Sequence, residues 1–425
     1  MKTPTHDSRS HVLIVGGGFA GLAAARTLDA RRFRITLLDR ENYHLFQPLL
    51  YQVATGSLDS TDIATPLRMI VPPSQARVVQ AELTGIDLER KVVRSARGVE
   101  YGWDKLILAV GLGHNYFGHD DWRAYAPSLK FLRDAFTIRD RILGALETAE
   151  YTDDPDTRAR HMRFAVIGGG PTGVELAGAI GELTGRTLAR EFYSFDPGDC
   201  EIVLLEAGPR VLAQYSEAAA ADAVRKLARK GVTVRAGTRV LAIDAGGITL
   251  EQDGTQSRLD IATVIWAAGA AAPPRFRQLA EAAGFELDRA GRIAVDAEFR
   301  VPGHPDVFAV GDVGAYTWDG QPLPGLAPAA EQAGTFVARY LNGTATSFRY
   351  TEQGQLAVIG RNAAVGNVFG RPVRGRVAWW GWLLVHIRGL IGFDVKIKVM
   401  IIWAWKFAFD KYGARVIRGR TDPSD

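Results

Sequence analysis

"HVLIVGGGFAGLAAARTL" (residues 11–28) passes from a strand-like run through glycines into a helical sequence. The β-branched start is suited to a buried parallel strand. Gly16, Gly18 and Gly21 form the pattern G-x-G-x-x-G. In this pattern one glycine allows a tight turn, one lets a pyrophosphate approach the backbone, and one lets the helix pack on the strand. The stretch therefore predicts a dinucleotide site at a helix N-terminus.

The next strand-like run supports this interpretation. "RITLLD" ends in Asp39, where a carboxylate can bind the ribose hydroxyls of an adenosine. A glycine pattern alone also occurs in ordinary tight turns. The acidic strand end favours nucleotide binding over a purely structural turn.

The same construction returns in the middle of the chain, in "RFAVIGGGPTGVELAGAIGEL", with Gly168, Gly170 and Gly173. The strand that follows, "CEIVLLE", ends at Glu206. Two such units predict two nucleotides, most simply a bound FAD and an exchanging nicotinamide nucleotide. A duplicated fold with one inactive site is the alternative. Glu206 favours NADH over NADPH because a carboxylate repels the 2′-phosphate of NADPH. Arg210, four residues further on, argues against this preference.

Three shorter signals complete the nucleotide-binding pattern. The runs "DKLILAVG" and "ATVIWAAG" end at Gly111 and Gly269, as expected of strands that close a nucleotide-binding half. "DVFAVGDVGAY" places Asp312 directly after another strand. There a carboxylate can accept hydrogen bonds from a ribityl chain, and a β-turn aspartate is the alternative. Together the segments predict an α/β fold with two Rossmann-like domains, the NADH domain being inserted into the FAD domain.

Composition narrows the protein class. The chain has 425 residues, 47% of them hydrophobic and 23% charged, so it can bury a large core and form two or three domains. Cys200 is the only cysteine, which excludes paired redox thiols and a cysteine-based metal site; no metal is expected. No apolar stretch precedes the first strand-like run, so we expect no secretory signal and a location on the cytoplasmic side.

The end of the chain is basic and rich in tryptophan. From Arg371 to Asp425 there are eleven Lys or Arg residues against four Asp or Glu, whereas the whole chain is only +4. Five of the nine tryptophans lie between Trp379 and Trp405. Charged residues interrupt the apolar runs too often for a membrane span of about 18 residues. The tail predicts amphipathic helices on an anionic lipid surface, with a homodimer interface or a packed terminal helix as the alternative. Nucleic acid is not an expected partner, because so many apolar residues suit lipid better.

Several longer stretches are distinctive: "NYHLFQPLLYQVATG", "NYFGHDDW", "VLLEAGPRVL" and "LPGLAPAAEQAG". Through them the chain resembles the type II NADH dehydrogenases from about Val12 to Ile417. These single-subunit flavoenzymes pass electrons from NADH to a membrane quinone without pumping protons. The resemblance implies FAD and NADH as cofactors, a membrane quinone as acceptor, and a peripheral position on the cytoplasmic face of the cell membrane. A soluble NAD(P)H reductase with a protein acceptor is the alternative, since it shares the nucleotide sites but does not need the tail.

The resemblance also implies roles for single residues. The residues it assigns to FAD are Gly16, Gly18, Gly21, Asp39, Gln47, Pro48, Leu49 and Asp312, and those it assigns to NADH are Gly168, Gly170, Gly173 and Glu206. It places Glu175 near the nicotinamide and the flavin. Gln332 matches the second glutamine of the quinone-site motif A-Q-x-x-x-Q, whereas Pro328 replaces the first.

The predicted mechanism is a hydride transfer from NADH to the flavin N5, followed by transfer of two electrons and two protons to a quinone. Glu175 and His44 are candidate proton donors, with solvated or packed side chains as the alternative. The predicted domains are residues 1–120 (first FAD part), 121–284 (NADH domain with a connecting helix), 285–365 (second FAD part with the quinone-site helix) and 366–425 (membrane association).

Overall fold

A computed structural model describes residues 8–368, 370–409 and 413–418. A π-helical turn, Leu183–Thr187, continues α6. The helices are α1 (Phe19–Thr27), α2 (Leu50–Ala54), α3 (Leu67–Ile70), α4 (Leu132–Tyr151), α5 (Pro155–His161), α6 (Pro171–Glu182), α7 (Glu217–Ala228), α8 (Pro274–Ala282), α9 (Ala327–Leu341), α10 (Gly375–Gly389) and α11 (Phe393–Phe409).

The strands are β1 (Ser10–Val15), β2 (Phe33–Asp39), β3 (Tyr43–Leu45), β4 (Ala64–Pro66), β5 (Arg77–Gln80), β6 (Leu83–Asp87), β7 (Val92–Ser95), β8 (Glu100–Gly102), β9 (Lys105–Leu108), β10 (Gly113–His114), β11 (Arg163–Ile167), β12 (Glu201–Leu205), β13 (Val232–Arg235), β14 (Thr238–Asp244), β15 (Gly247–Gln252), β16 (Thr255–Asp260), β17 (Thr263–Trp266), β18 (Ala270–Ala271), β19 (Ile293–Ala294), β20 (Arg300–Val301), β21 (His304–Ala309), β22 (Gly314–Ala315), β23 (Thr317–Trp318), β24 (Gln321–Pro322), β25 (Gln355–Gly360), β26 (Ala363–Val368) and β27 (Arg371–Arg374).

The contacts divide the chain into two compact units. The first unit comprises residues 1–45, 64–114 and 270–353, and the second comprises 46–63, 115–269 and 354–425. The second unit thus combines the middle of the chain, residues 115–269, with two segments from elsewhere, 46–63 and 354–425. Which cofactor belongs to each of the four domains expected from the sequence stays a prediction.

A mostly parallel sheet, with β20 as an antiparallel edge strand, forms the centre of the first unit. Its strand order is β20-β21-β9-β1-β2-β5, and β1 pairs in parallel with both β2 and β9. Val12, Leu13 and Ile14 are fully buried, as expected for a central strand covered on both faces. Helix α1 packs closely against α9, since a Cβ added at Gly334 would lie 2.0 Å from the carbonyl oxygen of Ala20. The strand, glycine turn and helix expected from the sequence are confirmed.

The second unit repeats the design with a four-stranded parallel sheet in the order β13-β12-β11-β17. The antiparallel strands β14 to β16 form a separate meander, and β25 to β27 form another. Helix α6 packs against β25 so closely that a Cβ added at Gly178 would lie 2.3 Å from the carbonyl oxygen of Ile359. The α/β fold class with two Rossmann-like halves is therefore confirmed.

The tail contains two helices, α10 and α11, as the sequence predicts. Helix α10 packs on β26. Trp380 and Leu384 on α10, and Ile401 and Trp405 on α11, are more than half exposed. Within the described part of the chain, no helix is both long enough and apolar enough to cross a bilayer. Residues 369, 410–412 and 419–425 of the predicted membrane-association region lie outside the described residues.

Candidate functional site

The first glycine turn has little room for side chains. Gly16 has a left-handed φ of +111°, and a Cβ there would lie 2.2 Å from the carbonyl oxygen of Ala109. A Cβ at Gly21 would lie 1.8 Å from the carbonyl oxygen of Gly16. Gly18, by contrast, faces open space and precedes α1 without a side-chain cap. A helix N-terminus beside open space fits a pyrophosphate.

Asp39 closes this turn. Its carboxylate accepts hydrogen bonds from the backbone N–H groups of Gly17 at 2.5 Å and Glu41 at 2.7 Å. Burial raises the pKa of Asp39, although the two N–H groups oppose the rise. His44 braces the same loop, because its buried Nδ1 lies 3.0 Å from the carbonyl oxygen of Gly17. The structure gives His44 a supporting contact and an acid–base role remains a prediction.

The remaining first-unit candidates follow neighbouring parallel strands. Gly111 comes after β9, has a φ of +68° and faces open space. Asp312 lies in the 3-10 turn Gly311–Val313, after β21. Strands β1, β2, β9 and β21 run parallel, so their carboxyl ends share one edge of the sheet. Two open glycine positions and two carboxylates along that edge fit FAD.

Gln332 forms two hydrogen bonds within the protein, and its place in a quinone site stays a prediction. Its Nε2 donates to the carbonyl oxygen of Thr351 at 3.0 Å, and its Oε1 accepts from the Thr351 N–H at 2.8 Å. The carboxamide therefore links α9 to the backbone of Thr351. Pro328, at the position of the motif's other glutamine, has no side-chain donor.

The second glycine turn reproduces the first. Gly168 also has a φ of +111°, and a Cβ at Gly173 would lie 1.9 Å from the carbonyl oxygen of Gly168. Gly170 faces open space. Glu206 accepts from the N–H groups of Gly169 and Gly208, each at 2.6 Å. The carboxylate thus stands at the strand end where a ribose would bind.

Two details near this turn could not be read from the sequence. Arg210 donates to the backbone carbonyl oxygens of Leu212, Ala213 and Tyr215, so its guanidinium is committed to the backbone. Gly269 has a φ of +69°, but the ring of Phe117 covers it at 2.8 Å from an added Cβ. Unlike Gly111, Gly269 is therefore covered by protein.

A cavity that is partly open to solvent lies within the second unit. One wall consists of Glu175, Ala179 and Glu182, which follow one another on one face of α6. The other wall includes Trp382 of α10 and Trp403 of α11. The sequence points to Glu175 but not to the cavity, because residues about 200 positions apart form the cavity walls.

The two acids of α6 differ in charge state. Burial raises the pKa of Glu175 to about 8, while the Val358 N–H at 3.2 Å and the Trp382 indole oppose the rise. Burial would also raise the pKa of Glu182, but Lys230 at 2.7 Å and Lys406 reverse the direction and lower it. At neutral pH, Glu175 holds its proton and Glu182 is ionised. Such divergence along one wall suits acid–base work.

Tryptophans of the tail are divided between the cavity and the surface. Trp379, Trp382 and Trp403 line the cavity, whereas Trp380 and Trp405 are exposed. The sequence-based interpretation that this cluster lies at the lipid headgroups therefore accounts for only part of it.

The thiol of Cys200 is buried. Burial raises the pKa of the Cys200 thiol to about 12, so it is a poor nucleophile at neutral pH. Within residues 8–368, 370–409 and 413–418, no group of three or more His, Cys, Asp or Glu side chains is placed to hold a metal ion.

Residues 10–334 match the family described as pyridine nucleotide-disulphide oxidoreductase. The chain is 38% identical to the type II NADH:quinone oxidoreductase Ndh of Mycobacterium tuberculosis over 96% of this chain and 90% of that protein. It is 31% identical to a type II NADH:quinone oxidoreductase of Staphylococcus aureus, covering 87% and 92%. Its fold matches NDH2 of Plasmodium falciparum in complex with NADH, with a TM-score of 0.87 at 19% identity, covering 97% of this chain and all of that chain.

Proposed function

The chain belongs to the type II NADH:quinone oxidoreductases, and we propose that its two glycine turns and its tryptophan-lined cavity carry the successive steps of that reaction. The enzyme transfers hydride from NADH to FAD and then two electrons to a quinone. The observation that carries the assignment is the pair of carboxylate-closed turns, Asp39 on Gly17 at 2.5 Å and Glu206 on Gly169 at 2.6 Å. Each turn provides one dinucleotide site.

For FAD, we assign the pyrophosphate to the N-terminus of α1 beside Gly18, the adenosine ribose to Asp39 and the ribityl chain to Asp312. Gly111 leaves room for the cofactor at the same sheet edge. When bound, FAD supplies a carrier that accepts a hydride and gives up two electrons. The assignment of Gln47, Pro48 and Leu49 to the flavin ring rests on the resemblance alone.

For NADH, we assign the pyrophosphate to the N-terminus of α6 beside Gly170 and the adenosine ribose to Glu206. A 2′-phosphate would meet the Glu206 carboxylate, and like charges repel. Arg210 does not offset this repulsion, because its guanidinium is already hydrogen-bonded to backbone carbonyl oxygens. NADH is therefore the preferred donor.

The cavity is assigned to the quinone. Reduction of a quinone requires two electrons and two protons, of which NADH brings both electrons and one proton. The other proton comes from Glu175, which is protonated at neutral pH and regains a proton from water. Tyr51 and Gln52 also line the cavity and follow almost directly after the Gln47–Leu49 segment, which links the cavity to the segment assigned to the flavin.

Steady-state assays with the purified protein test the reaction. We expect rapid NADH oxidation with a short-chain benzoquinone and much slower oxidation of NADPH. Reduction of a protein acceptor without reduction of quinone would instead support the soluble reductase. Equal catalytic efficiency with NADH and NADPH would contradict the role given to Glu206.

We also propose that α10 and α11 dock on the cytoplasmic leaflet of the cell membrane. Trp380, Leu384, Ile401 and Trp405 expose apolar surface on these helices, and the surrounding tail is basic. Apolar burial should supply a salt-resistant part of the binding and cationic side chains a salt-sensitive part.

Serine substitutions at these four positions should abolish most binding to anionic liposomes, while activity with a short-chain quinone persists. Met69→Ser, which changes an exposed apolar residue on α3, is the matched control. Unchanged liposome binding by the fourfold variant, together with a smaller oligomer, would indicate that these residues cover a second copy of the chain.

A further inference from the structure

We propose that Trp382 is a substrate-contacting residue whose indole N–H donates a hydrogen bond to a carbonyl oxygen of the quinone in the cavity. The inference rests on the proposed quinone step and deepens it. Trp382 is 2% exposed and lines the cavity, and its Nε1 has no hydrogen-bond partner among the described residues. Leaving a buried donor without a hydrogen bond is unfavourable, and a ligand carbonyl oxygen would satisfy it.

The indole is held in place by its neighbours. Its ring stacks on His386 at a centroid distance of 4.0 Å and an angle of 26°, and the His386 Nδ1 lies 2.7 Å from the Trp382 carbonyl oxygen. Burial lowers the pKa of His386 to about 4, so the stacked imidazole is neutral at physiological pH. The Trp382 N–H is therefore a fixed donor, as substrate positioning requires.

The neighbouring indole provides an internal comparison. Trp403 lines the same cavity, its ring centroid 5.5 Å from that of Trp382, but its Nε1 donates to the Gln52 Oε1 at 2.9 Å. The protein thus gives the Trp403 indole an internal hydrogen bond of normal length, whereas the Trp382 N–H lies near the Glu175 carboxyl group without one. A quinone carbonyl oxygen is an acceptor of the missing kind, set in a ring that suits a wall of aromatic side chains.

The chemistry of reduction adds a reason for a donor at this point. The carbonyl oxygen gains negative charge as electrons arrive, so a fixed N–H stabilises the transition state more than the neutral substrate. Glu175 lies close enough to the indole for Trp382 to lower its pKa. An N–H that polarises the carbonyl and an O–H that supplies the second proton then converge on one substrate, and Glu175 recovers its proton from water.

Trp382→Phe keeps a stacking ring and removes the N–H. In the full-length, FAD-loaded enzyme we expect kcat/KM for a short-chain benzoquinone to fall about tenfold, as for the loss of one hydrogen bond. Reduction of the bound FAD by NADH in a stopped-flow half-reaction should stay unchanged. Trp103→Phe is the matched control, because Trp103 also has a buried Nε1 without a partner among the described residues but packs in the first-unit core.

Infrared spectroscopy of the bound quinone gives a readout that a purely structural role would not affect. A carbonyl band shifted to lower frequency should appear in the wild type and in Trp103→Phe, and should move toward the free-quinone value in Trp382→Phe. An unshifted band in the wild type would overturn the inference even if Trp382→Phe failed to fold. Equal quinone kinetics in Trp382→Phe and Trp103→Phe would also overturn the inference about Trp382, but not the proposed quinone reduction. A wild type that cannot reduce quinone would instead contradict the proposed function.

Discussion

The two glycine turns share their geometry but are followed by helices of different character. In each turn the first glycine has a φ of +111°, and an added Cβ at the third glycine would lie 1.8 or 1.9 Å from a carbonyl oxygen. Helix α1 then packs against α9, whereas α6 presents Glu175 and Glu182 to a cavity and continues into a π-helical turn. The turn therefore provides nucleotide binding, and the outward face of the helix determines what further chemistry the unit performs.

The largest expected effect comes from replacing the third glycine of either turn with alanine. Gly21→Ala and Gly173→Ala place a methyl group against backbone, which costs about 1–3 kcal/mol and should weaken binding of the local nucleotide about 5- to 150-fold. Gly21→Ala should purify with little FAD. Gly173→Ala should retain FAD and lose kcat/KM for NADH. Flavin absorbance per protein and NADH titrations measure the two effects.

Gly144→Ala on α4 is the control, since an added Cβ there meets open space. Loss of both nucleotides from both turn variants would contradict the separation of the two sites.

A smaller effect is expected at the acid of the second turn. Glu206→Ser removes the carboxylate that faces the ribose and should reduce the preference for NADH over NADPH about tenfold or more. The preference should not reverse, because Arg210 remains bonded to backbone carbonyl oxygens. Ratios of kcat/KM for the two nucleotides check this. Glu201→Ser changes an exposed residue at the start of β12, the strand that leads to Glu206, and should leave the ratio unchanged. An unchanged ratio in Glu206→Ser would remove Glu206 from the site.

The two turns could be predicted because their signals are local. A strand, three spaced glycines, a helix and an acidic strand end all lie within about 45 residues, and each residue type has a backbone reason. The cavity could not be predicted in this way. It depends on bringing Glu175 next to Trp382, and no periodicity in the tail distinguishes an indole that lines a cavity from one that faces solvent.

The acids of α6 allow a third test through pH. Glu175 has a pKa raised from 4.5 to about 8, so between these pH values the native state holds a proton that the unfolded state has lost. Stability should fall as pH rises through this window and level off above it. The melting temperature of wild type relative to Glu175→Gln should therefore decrease from pH 5 to pH 8, and quinone turnover by the wild type should decline above about pH 8.

Glu182 provides the opposite sign on the same helix. Its pKa is lowered in the folded state, so its contribution to stability is present above the unfolded pKa and is lost as pH falls through the folded pKa. Glu182→Gln should accordingly be most destabilising at neutral pH and less so in acid. Parallel pH profiles for the two variants would contradict the divergent charge states.

The smallest effect is expected on the side of the first turn, at Gln332. Gln332→Leu removes two hydrogen bonds to the Thr351 backbone, but water can replace them at this partly exposed site. We expect a loss of about 1 kcal/mol, or about 2–4 °C in melting temperature, with quinone kcat/KM within about twofold of the wild type. Thr351→Ala keeps the backbone groups and should change neither quantity. A large loss of quinone kcat/KM at an unchanged melting temperature would instead place Gln332 in the quinone site, as the resemblance implied. The first unit would then contribute to quinone reduction as well as to nucleotide binding through its glycine turn.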